Sequence, residues 1–315
     1  MIRLGWNGER QTTLEQVPRK LLLEGFDVPT YRGKRFIEVN SAETTIRNVS
    51  LLDCYSPVGQ DSQAIGVLNT PGQLTFQNLH LQAASNNLML GGDRPWIPGN
   101  HIKNVVIEDC LFDKPLEWKV ANYPKVKNHF EIKDGWDVLF KNNVLRNCWQ
   151  SAQVGYGIVL TPSRGSLQGV VIDNCDMQNV GGCFNITGND AALMFPERTQ
   201  VKVNGGIFRT NKPEMGGTGW FALLTRGPEY FDVFGADIEC DSQVLLVGDS
   251  APIDRVTYRG CKFNLNKYGI SIAGHHAQLE HPFTNNVVQN LIIEENTIEG
   301  ATSKFKLNFP NNTYV

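Results

Sequence analysis

The sequence predicts an all-β fold in which short parallel strands coil as a solenoid of about nine or ten turns around one core. One sequence frame recurs nine times, at intervals of 25 to 35 residues. Apolar residues fall at matching positions of the copies, and eight of the nine copies carry Asp, Asn or Gly at one shared position. A repeat that can bury its apolar face only against its neighbours is typical of solenoid proteins.

The frame is clearest in VVIEDCLF (105–112) and VVIDNCDM (170–177), where an apolar pattern meets an Asp or Asn. These residue types tolerate left-handed backbone, so we expect a corner between two short strands. The predicted corner residues are Asp53, Asn78, Asp109, Asn142, Asn174, Gly205, Gly235, Gly260 and Glu295. The residue after the corner should form a column of stacked small or polar side chains, with members Cys54, Cys110, Asn143, Cys175, Cys261 and Asn296.

A further strand follows the corner in each copy, as in YGIVLTP (156–162) and CFNITG (183–188). Strand alternation then directs Ile158 and Phe184 to the interior. A β-propeller is the main alternative, but it would need four strands per repeat joined by tight hairpins. The frame offers two or three strands and no such hairpins, which favours the solenoid.

The N-terminal segment has a different pattern. TLEQVPRKLLLEG (13–25) places Leu14, Val17 and Leu21 at helical spacing, so we expect a short amphipathic helix there. We therefore divide the chain into a cap and lead-in at 1–45 and a β-helix domain at 46–315. Such a cap would cover the open edge of the first coil, where exposed strands invite aggregation.

Composition limits the function classes. The net charge of −3 and pI of about 6.1 oppose a nucleic-acid role, and no apolar run is long enough to span a membrane. The N-terminus lacks the apolar segment of a secretory signal. The seven cysteines form no CxxC pair, so we expect buried free thiols and neither a metal site nor a cofactor.

Several runs between about 48 and 188 resemble right-handed parallel β-helix proteins of the pectate-lyase-like kind, and more narrowly a bacterial and phage-associated family without settled chemistry. The runs are VGQDSQAIG (58–66), NNLMLGGDRPWIP (86–98), DKPLEWK (113–119), NHFEIKD (128–134), GIVLTPSR (157–164) and GGCFNITG (181–188). The bacterial members are longer and carry export signals, and this chain departs on both points.

The resemblance, together with the missing export signal, implies a phage virion protein that acts as a spike, fibre or decoration element. Its expected partners are other virion proteins and further copies of itself, with a trimer as the expected form, and its expected location is the virion or the extracellular space. Two alternatives remain open. One is a polysaccharide lyase or glycoside hydrolase acting on an acidic polysaccharide, and the other is a secreted bacterial carbohydrate-binding solenoid.

The candidate site residues lie in the matching runs and the loops. Asp61, Asp93, Glu131 and Lys133 are the catalytic candidates, since acid–base chemistry on sugars needs carboxylates with a basic partner, and a lyase would add calcium. The candidates for carbohydrate binding or an interface are Gln63, Asn87, Arg94, Trp96, Trp118, Tyr123, Thr161 and Asn185. The structural alternatives are cross-coil ion pairs on a solvated face for Glu131 and Lys133, turn-holding hydrogen bonds for Asp61 and Asp93, and core or loop packing for the aromatics.

Overall fold

The computed structural model describes residues 1–5, 10–93, 95–121, 125–190, 195–248, 251–265, 271–274, 288–299 and 306–307. In chain order the strands are β1 (Ile2–Leu4), β2 (Leu22–Val28), β3 (Tyr31–Arg32), β4 (Arg35–Val39), β5 (Thr44–Tyr55), β6 (Gln63–Val67), β7 (Gly72–Ala83), β8 (Asn86–Leu90), β9 (Lys103–Glu108), β10 (Leu111–Asp113), β11 (Phe130–Ile132), β12 (Gly135–Lys141), β13 (Val144–Cys148), β14 (Tyr156–Leu160), β15 (Leu167–Asp173), β16 (Asp176–Val180), β17 (Gly182–Thr187), β18 (Gln200–Asn204), β19 (Ile207–Thr210), β20 (Ala222–Thr225), β21 (Tyr230–Phe234), β22 (Asp237–Cys240), β23 (Leu245–Gly248), β24 (Ile253–Arg259), β25 (Lys262–Leu265), β26 (Ser271–Gly274), β27 (Val288–Glu294), β28 (Thr297–Glu299) and β29 (Lys306–Leu307). The short helices are a 3-10 turn (Leu14–Gln16), α1 (Leu116–Val120) and α2 (Lys212–Met215).

The strands form a parallel β-helix. The first sheet has 11 strands in the order β1-β4-β6-β8-β11-β14-β17-β20-β23-β26-β29. The second sheet has 18 strands. Most coils contribute two short strands to it, one before and one after the corner, whereas β5 and β7 are long strands that continue through the corner. β7 therefore pairs with both β9 and β10 of the next coil. Every strand pair is parallel, and each coil adds its strands beside those of the coil before, which confirms the predicted solenoid.

The predicted corners have the backbone that their residue types suggest. All nine have left-handed φ angles between 46° and 63°. The register nevertheless corrects the first copy, because the pairing of β5 with β7 places Asn48, not Asp53, beside Asn78. Asn48 and Asp53 both have left-handed backbone, and the apolar residues Val49 and Leu51 lie between them. The sequence pattern could therefore place the corner at either residue. Cys54 therefore leaves the predicted column and pairs with Ala83.

The column after the corner is a ladder inside the core. Asn143 accepts the backbone N–H of Cys110 at 2.9 Å and donates to the carbonyl of Ile107 at 2.9 Å. Asn296 accepts the N–H of Cys261 at 2.8 Å in the same way. Cysteines, asparagines, Gly206 and Ala236 occupy this column because the space is small, and the asparagines also supply partners for the corner's backbone groups. The seven cysteines are free and buried, as expected, and burial raises the pKa of Cys110 to about 12.

Lys114 is the one lysine buried inside the described core. It is fully buried, and its ammonium donates to the carbonyls of Ala83, Ala84 and Ser85 at 2.6, 3.0 and 3.0 Å. Burial lowers the pKa of Lys114 to about 8, because no carboxylate neutralises the charge at hydrogen-bonding distance. The lysine therefore serves as a cap for three carbonyls at one bend of the chain.

An aromatic stack fills the core of the later coils. Tyr258 lies among Phe221, Phe231 and Phe263, with ring centroids 5.8 to 6.3 Å apart. Its hydroxyl is buried and has no hydrogen-bond partner among the described residues. Such an unpaired hydroxyl costs stability that a phenylalanine would not.

The N-terminal segment differs from the expected helix. Only the 3-10 turn at Leu14–Gln16 is helical, and strand β2 begins at Leu22 and pairs with β5. The apolar residues at helical spacing thus belong partly to a strand, and Pro18 interrupts any helix between them. Strands β2 to β4 already pair within the two sheets, inside the segment predicted as lead-in.

Candidate functional site

The outward face of the first sheet is covered in the middle coils. In β6, β8, β11 and β14 every residue is buried, although alternate side chains point away from the core. Gln63, Glu131 and Val159 are each only 5% exposed. These side chains are covered by their outward neighbours and by the connecting segments on either side of the strands, which we call the two walls.

The first wall consists of the segments that precede the strands of this sheet. Lys127 joins two of them through an ion pair to Asp61 at 2.6 Å. Asn128 reaches the next segment by donating to the side-chain carbonyl of Gln153 at 3.0 Å. These bonds join segments of different coils within the described residues.

The second wall consists of the segments that follow the strands, and Asp134 holds it together. The Asp134 carboxylate accepts from His101 Nδ1 at 2.7 Å and from the backbone N–H groups of Ile102 and Ser166 at 3.0 and 3.2 Å. The His101 ring stacks on Trp136, with centroids 4.4 Å apart. One carboxylate thus joins the connecting segments of three coils.

We call the outward residues between these walls the outer strip. Its members are Arg35, Glu38, Gln63, Asn86, Met89, Asn128, Glu131, Lys133, Tyr156, Val159, Thr161 and Asn185. Most are planar amides or charged groups, and two are apolar.

The first part of the outer strip is organised by Arg35. Its guanidinium donates to Glu38 at 2.6 Å and to the side-chain oxygen of Gln63 at 2.7 Å. Gly66 lies beneath it, and a Cβ at Gly66 would meet Arg35 Nε at 2.4 Å. The absence of a side chain at Gly66 therefore lets the arginine lie flat across the sheet.

The central part is organised by Glu131. Its carboxylate accepts from Asn86 at 2.7 Å and forms an ion pair with Lys133 at 2.7 Å. Asn86 also donates to the side chain of Asn128 at 2.6 Å. Each carboxylate oxygen has two lone pairs, so both oxygens of Glu131 retain acceptor capacity. The positive and negative charges of this part balance.

The last part presents an aromatic face. Tyr156 lies beside Gly182, where a Cβ would meet the ring at 2.6 Å, so the ring also lies along the sheet. Its hydroxyl accepts from Thr218 at 3.3 Å. Burial raises the pKa of Tyr156 to about 12, so the phenol is neutral at physiological pH. Asn185 follows on the next strand beside Val159.

The structure brings several predicted residues together. Gln63, Glu131, Lys133, Thr161 and Asn185 all lie on the outer strip, and Lys133 is 3.5 Å from the Thr161 hydroxyl. Glu131 and Lys133 pair with each other on one strand rather than across coils.

The loop candidates lie at the edges. Asp61 belongs to the first wall. Asp93 lies 3.9 Å from Arg164 on the second-wall side. Trp96 is half-buried, and its backbone N–H donates to Asn69 at 3.1 Å. Arg94 and Tyr123 lie outside the described residues.

Two predictions of outward or exposed side chains are wrong. Asn87 points into the core, where it donates to the carbonyl of Leu81 at 2.8 Å and lies 3.1 Å from His129 Nδ1. The strand bends at this point, so alternation gives the wrong face. Trp118 is 5% exposed and packs with Trp149 and Met215 in a small cluster under the long insertion. Its role there is loop packing.

Sequence reasoning missed Arg35, Asn86, Asn128, His101 and Asp134. Arg35 begins a strand in the segment assigned to the cap and lead-in, and Asn86 begins a strand that was recognised for its apolar residues alone. The spacing of 33 residues between His101 and Asp134 equals one repeat, so comparison of equivalent positions in adjacent coils would have suggested the pair.

The carboxylates of the outer strip are far apart. Glu38 and Glu131 lie three strands apart in one column, which is about 14 Å at a strand spacing of about 4.8 Å. Glycosidase carboxyl pairs are separated by about 5 to 10 Å. In the part of the chain that the structure describes, no group of three His, Cys, Asp or Glu residues is placed to hold a metal ion. None of the described helices has the length and apolarity needed to cross a membrane.

Fold and site together define a parallel β-helix with a walled polar strip on its first sheet. No protein-family model matches the sequence, and no curated protein matches it. Among solved structures, the chain is similar to the catalytic unit of a thermostable GH87 alpha-1,3-glucanase from Streptomyces thermodiastaticus strain HF3-3, with 12% identity and a TM-score of 0.39. The match covers 89% of this chain and 52% of that one, so this chain spans about half the length of that structure. The pectate-lyase-like family suggested by the sequence is not confirmed.

Proposed function

We propose that the outer strip binds an extended, neutral polysaccharide chain. The observation that carries this proposal is the covered outward face of β6, β8, β11 and β14, where walls enclose a floor of planar polar groups. Clefts of this kind, with a few fixed polar groups, are the usual form of ligand sites.

The chemistry of the strip suits sugars. A sugar hydroxyl both donates and accepts. Glu131 retains lone pairs beyond its bonds to Asn86 and Lys133, and the half-buried Asn185 carries an amide that can donate and accept. Met89, Tyr156 and Val159 are largely buried, and their small exposed edges would contact the C–H faces of the rings. The strip therefore alternates between the two kinds of surface that a sugar ring presents.

The strip also has the right repeat. Neighbouring strands are about 4.8 Å apart, which is comparable with the length of one pyranose ring in an extended chain. We therefore expect one ring to lie over one coil, with the chain running along the axis of the β-helix.

A neutral ligand is favoured over the acidic polysaccharide expected from the sequence. Arg35 is paired with Glu38, and Lys133 with Glu131, so the strip has no surplus of positive charge. We propose binding without hydrolysis between Glu38 and Glu131, because their separation fits neither glycosidase geometry. The virion location and the trimer remain predictions, and on a virion the strip would meet surface polysaccharide.

Titration of the purified protein with neutral glucan and mannan oligosaccharides, and with oligogalacturonate for comparison, tests the proposal by calorimetry. Asn185→Ala removes one amide from the strip, and we expect the Kd for the neutral chain to rise about 3- to 10-fold, as for one hydrogen bond. Asn264→Ala on β25 is the matched control, because Asn264 is equally half-buried but lies on the second sheet. Preference for oligogalacturonate, or equal effects of both variants, would contradict the proposal.

A further inference from the structure

The corner residues of the early coils form an asparagine ladder on the outside of the second sheet. The side-chain amide of each coil donates to the side-chain oxygen of the coil before it: Asn78 to Asn48 at 2.8 Å, Asn142 to Asp109 at 3.3 Å and Asn174 to Asn142 at 3.0 Å. The direction of donation is the same at every step.

The ladder is broken at Asp109. An aspartate has no N–H to donate, so the step from Asp109 back to Asn78 has no side-chain bond in the described part of the chain. Asn78 Oδ1 and one oxygen of Asp109 are therefore acceptors without a side-chain donor at this step of the ladder. Two such acceptors need donors from water or a ligand.

A cavity of about 330 Å³ lies at this break. It is lined by Asn48, Val49, Ser50, Asn78, Leu79, His80, Asp109 and Leu111, which come from three successive coils. Its volume falls within the range of small-ligand sites. The cavity is on the second sheet and therefore separate from the outer strip.

His80 lines this cavity and can supply it with a donor. The Gln82 amide nitrogen donates to Asp113 at 3.0 Å and lies 3.4 Å from His80 Nε2. Because that nitrogen can only donate, Nε2 accepts, and the neutral ring carries its proton on Nδ1. Burial lowers the pKa of His80, which keeps the ring neutral. Ser50 adds a hydroxyl that both donates and accepts.

We propose that this cavity is a second carbohydrate site, which binds a single sugar ring. Vicinal hydroxyls of the ring donate to Asn78 and Asp109 and accept from His80, and Leu111 packs on a C–H face. The break in the ladder thus has a binding role, since an asparagine at 109 would close the ladder and remove both free acceptors.

Asp109→Asn tests this proposal. The probes are methyl glucoside, methyl mannoside, rhamnose and N-acetylglucosamine, each titrated while the His80 ring signals are followed by NMR. In the wild type we expect saturable shifts of the His80 signals with at least one probe. In Asp109→Asn we expect affinity to fall at least tenfold and the urea midpoint to rise, because the ladder gains a hydrogen bond.

Asp173→Asn is the matched control. It removes one carboxylate from the same sheet away from the cavity, and it should change neither the binding nor the midpoint. Three results would overturn the proposal: no shift of the His80 signals with any of the four probes, saturable shifts of these signals with calcium chloride alone, or unchanged sugar binding in Asp109→Asn. The Asn185→Ala variant should bind the probes at the cavity as the wild type does, which separates this site from the outer strip.

Discussion

Replacement of Lys114 by methionine should change how stability depends on pH. The folded protein holds the Lys114 ammonium without a carboxylate at hydrogen-bonding distance, and burial lowers its pKa from 10.5 to about 8. At about 1.4 kcal/mol for each pH unit, this fall corresponds to about 3 kcal/mol. The lysine is fully buried, so solvent screening does not reduce the figure.

The sign follows from proton binding. Between about pH 8 and 10.5 the unfolded chain holds the Lys114 proton and the folded chain has released it, so stability rises with pH. This contribution is complete above 10.5 and is lost as the pH falls through about 8. The free energy of unfolding of the wild type minus that of Lys114→Met should therefore rise by about 3 kcal/mol from pH 7 to 10.5.

Urea denaturation of both proteins at several pH values in this range measures the difference. The buried thiols also titrate on unfolding and are present in both proteins, so their effects cancel except for that of Cys148, whose pKa is raised by burial and lowered, to a smaller extent, by the Lys114 charge. Lys262→Met is the control, because the Lys262 side chain is half exposed and its variant should show no such trend. A constant difference between the wild type and Lys114→Met would refute the argument that a buried charge is retained at neutral pH.

Three further predictions concern the core. Tyr258→Phe should raise the free energy of unfolding by about 1 kcal/mol in urea denaturation, because it removes a buried hydroxyl without a partner among the described residues; a loss of stability would mean that the hydroxyl is satisfied. Asn143→Ala should lower it by about 2 to 4 kcal/mol, since two bonds to the corner backbone are lost; a cost as small as that of Asn264→Ala would contradict this role. The thiols of Cys110 and Cys175, whose pKa burial raises to about 12, should not react with a disulfide reagent at pH 8 until the protein unfolds; rapid labelling of the folded protein would count against their burial.

Much of the fold could be predicted because each coil repeats the same physical problem. The corner needs left-handed backbone, so residues such as Asn78 and Asp109 indicate its position in the sequence. The inward strand positions need apolar side chains. The error at Asp53 arose because two left-handed residues lie close together in β5, and only pairing with β7 distinguishes them.

The candidate site was less predictable. Glu131 and Lys133 were found because they flank an inward residue of a recognised strand. Asn87 was assigned to the wrong face because its strand bends, and bends depend on neighbouring coils. Asp134 and His101 meet only through stacking of successive turns, and one sequence without its register does not show which side chains of adjacent coils touch.

The asparagine ladder has a direction, and this makes the coils unequal although they look alike. Each amide donates to the coil on its N-terminal side. A coil placed in the stack must therefore present a donor towards its N-terminal neighbour and an acceptor towards its C-terminal neighbour. A duplicated coil with asparagine at its corner would extend the ladder without interrupting it. A duplicated coil with aspartate, like that of Asp109, would interrupt it again and leave another pair of acceptors without a side-chain donor. The choice between two nearly isosteric side chains at one corner thus sets where along the rod unpaired acceptors occur.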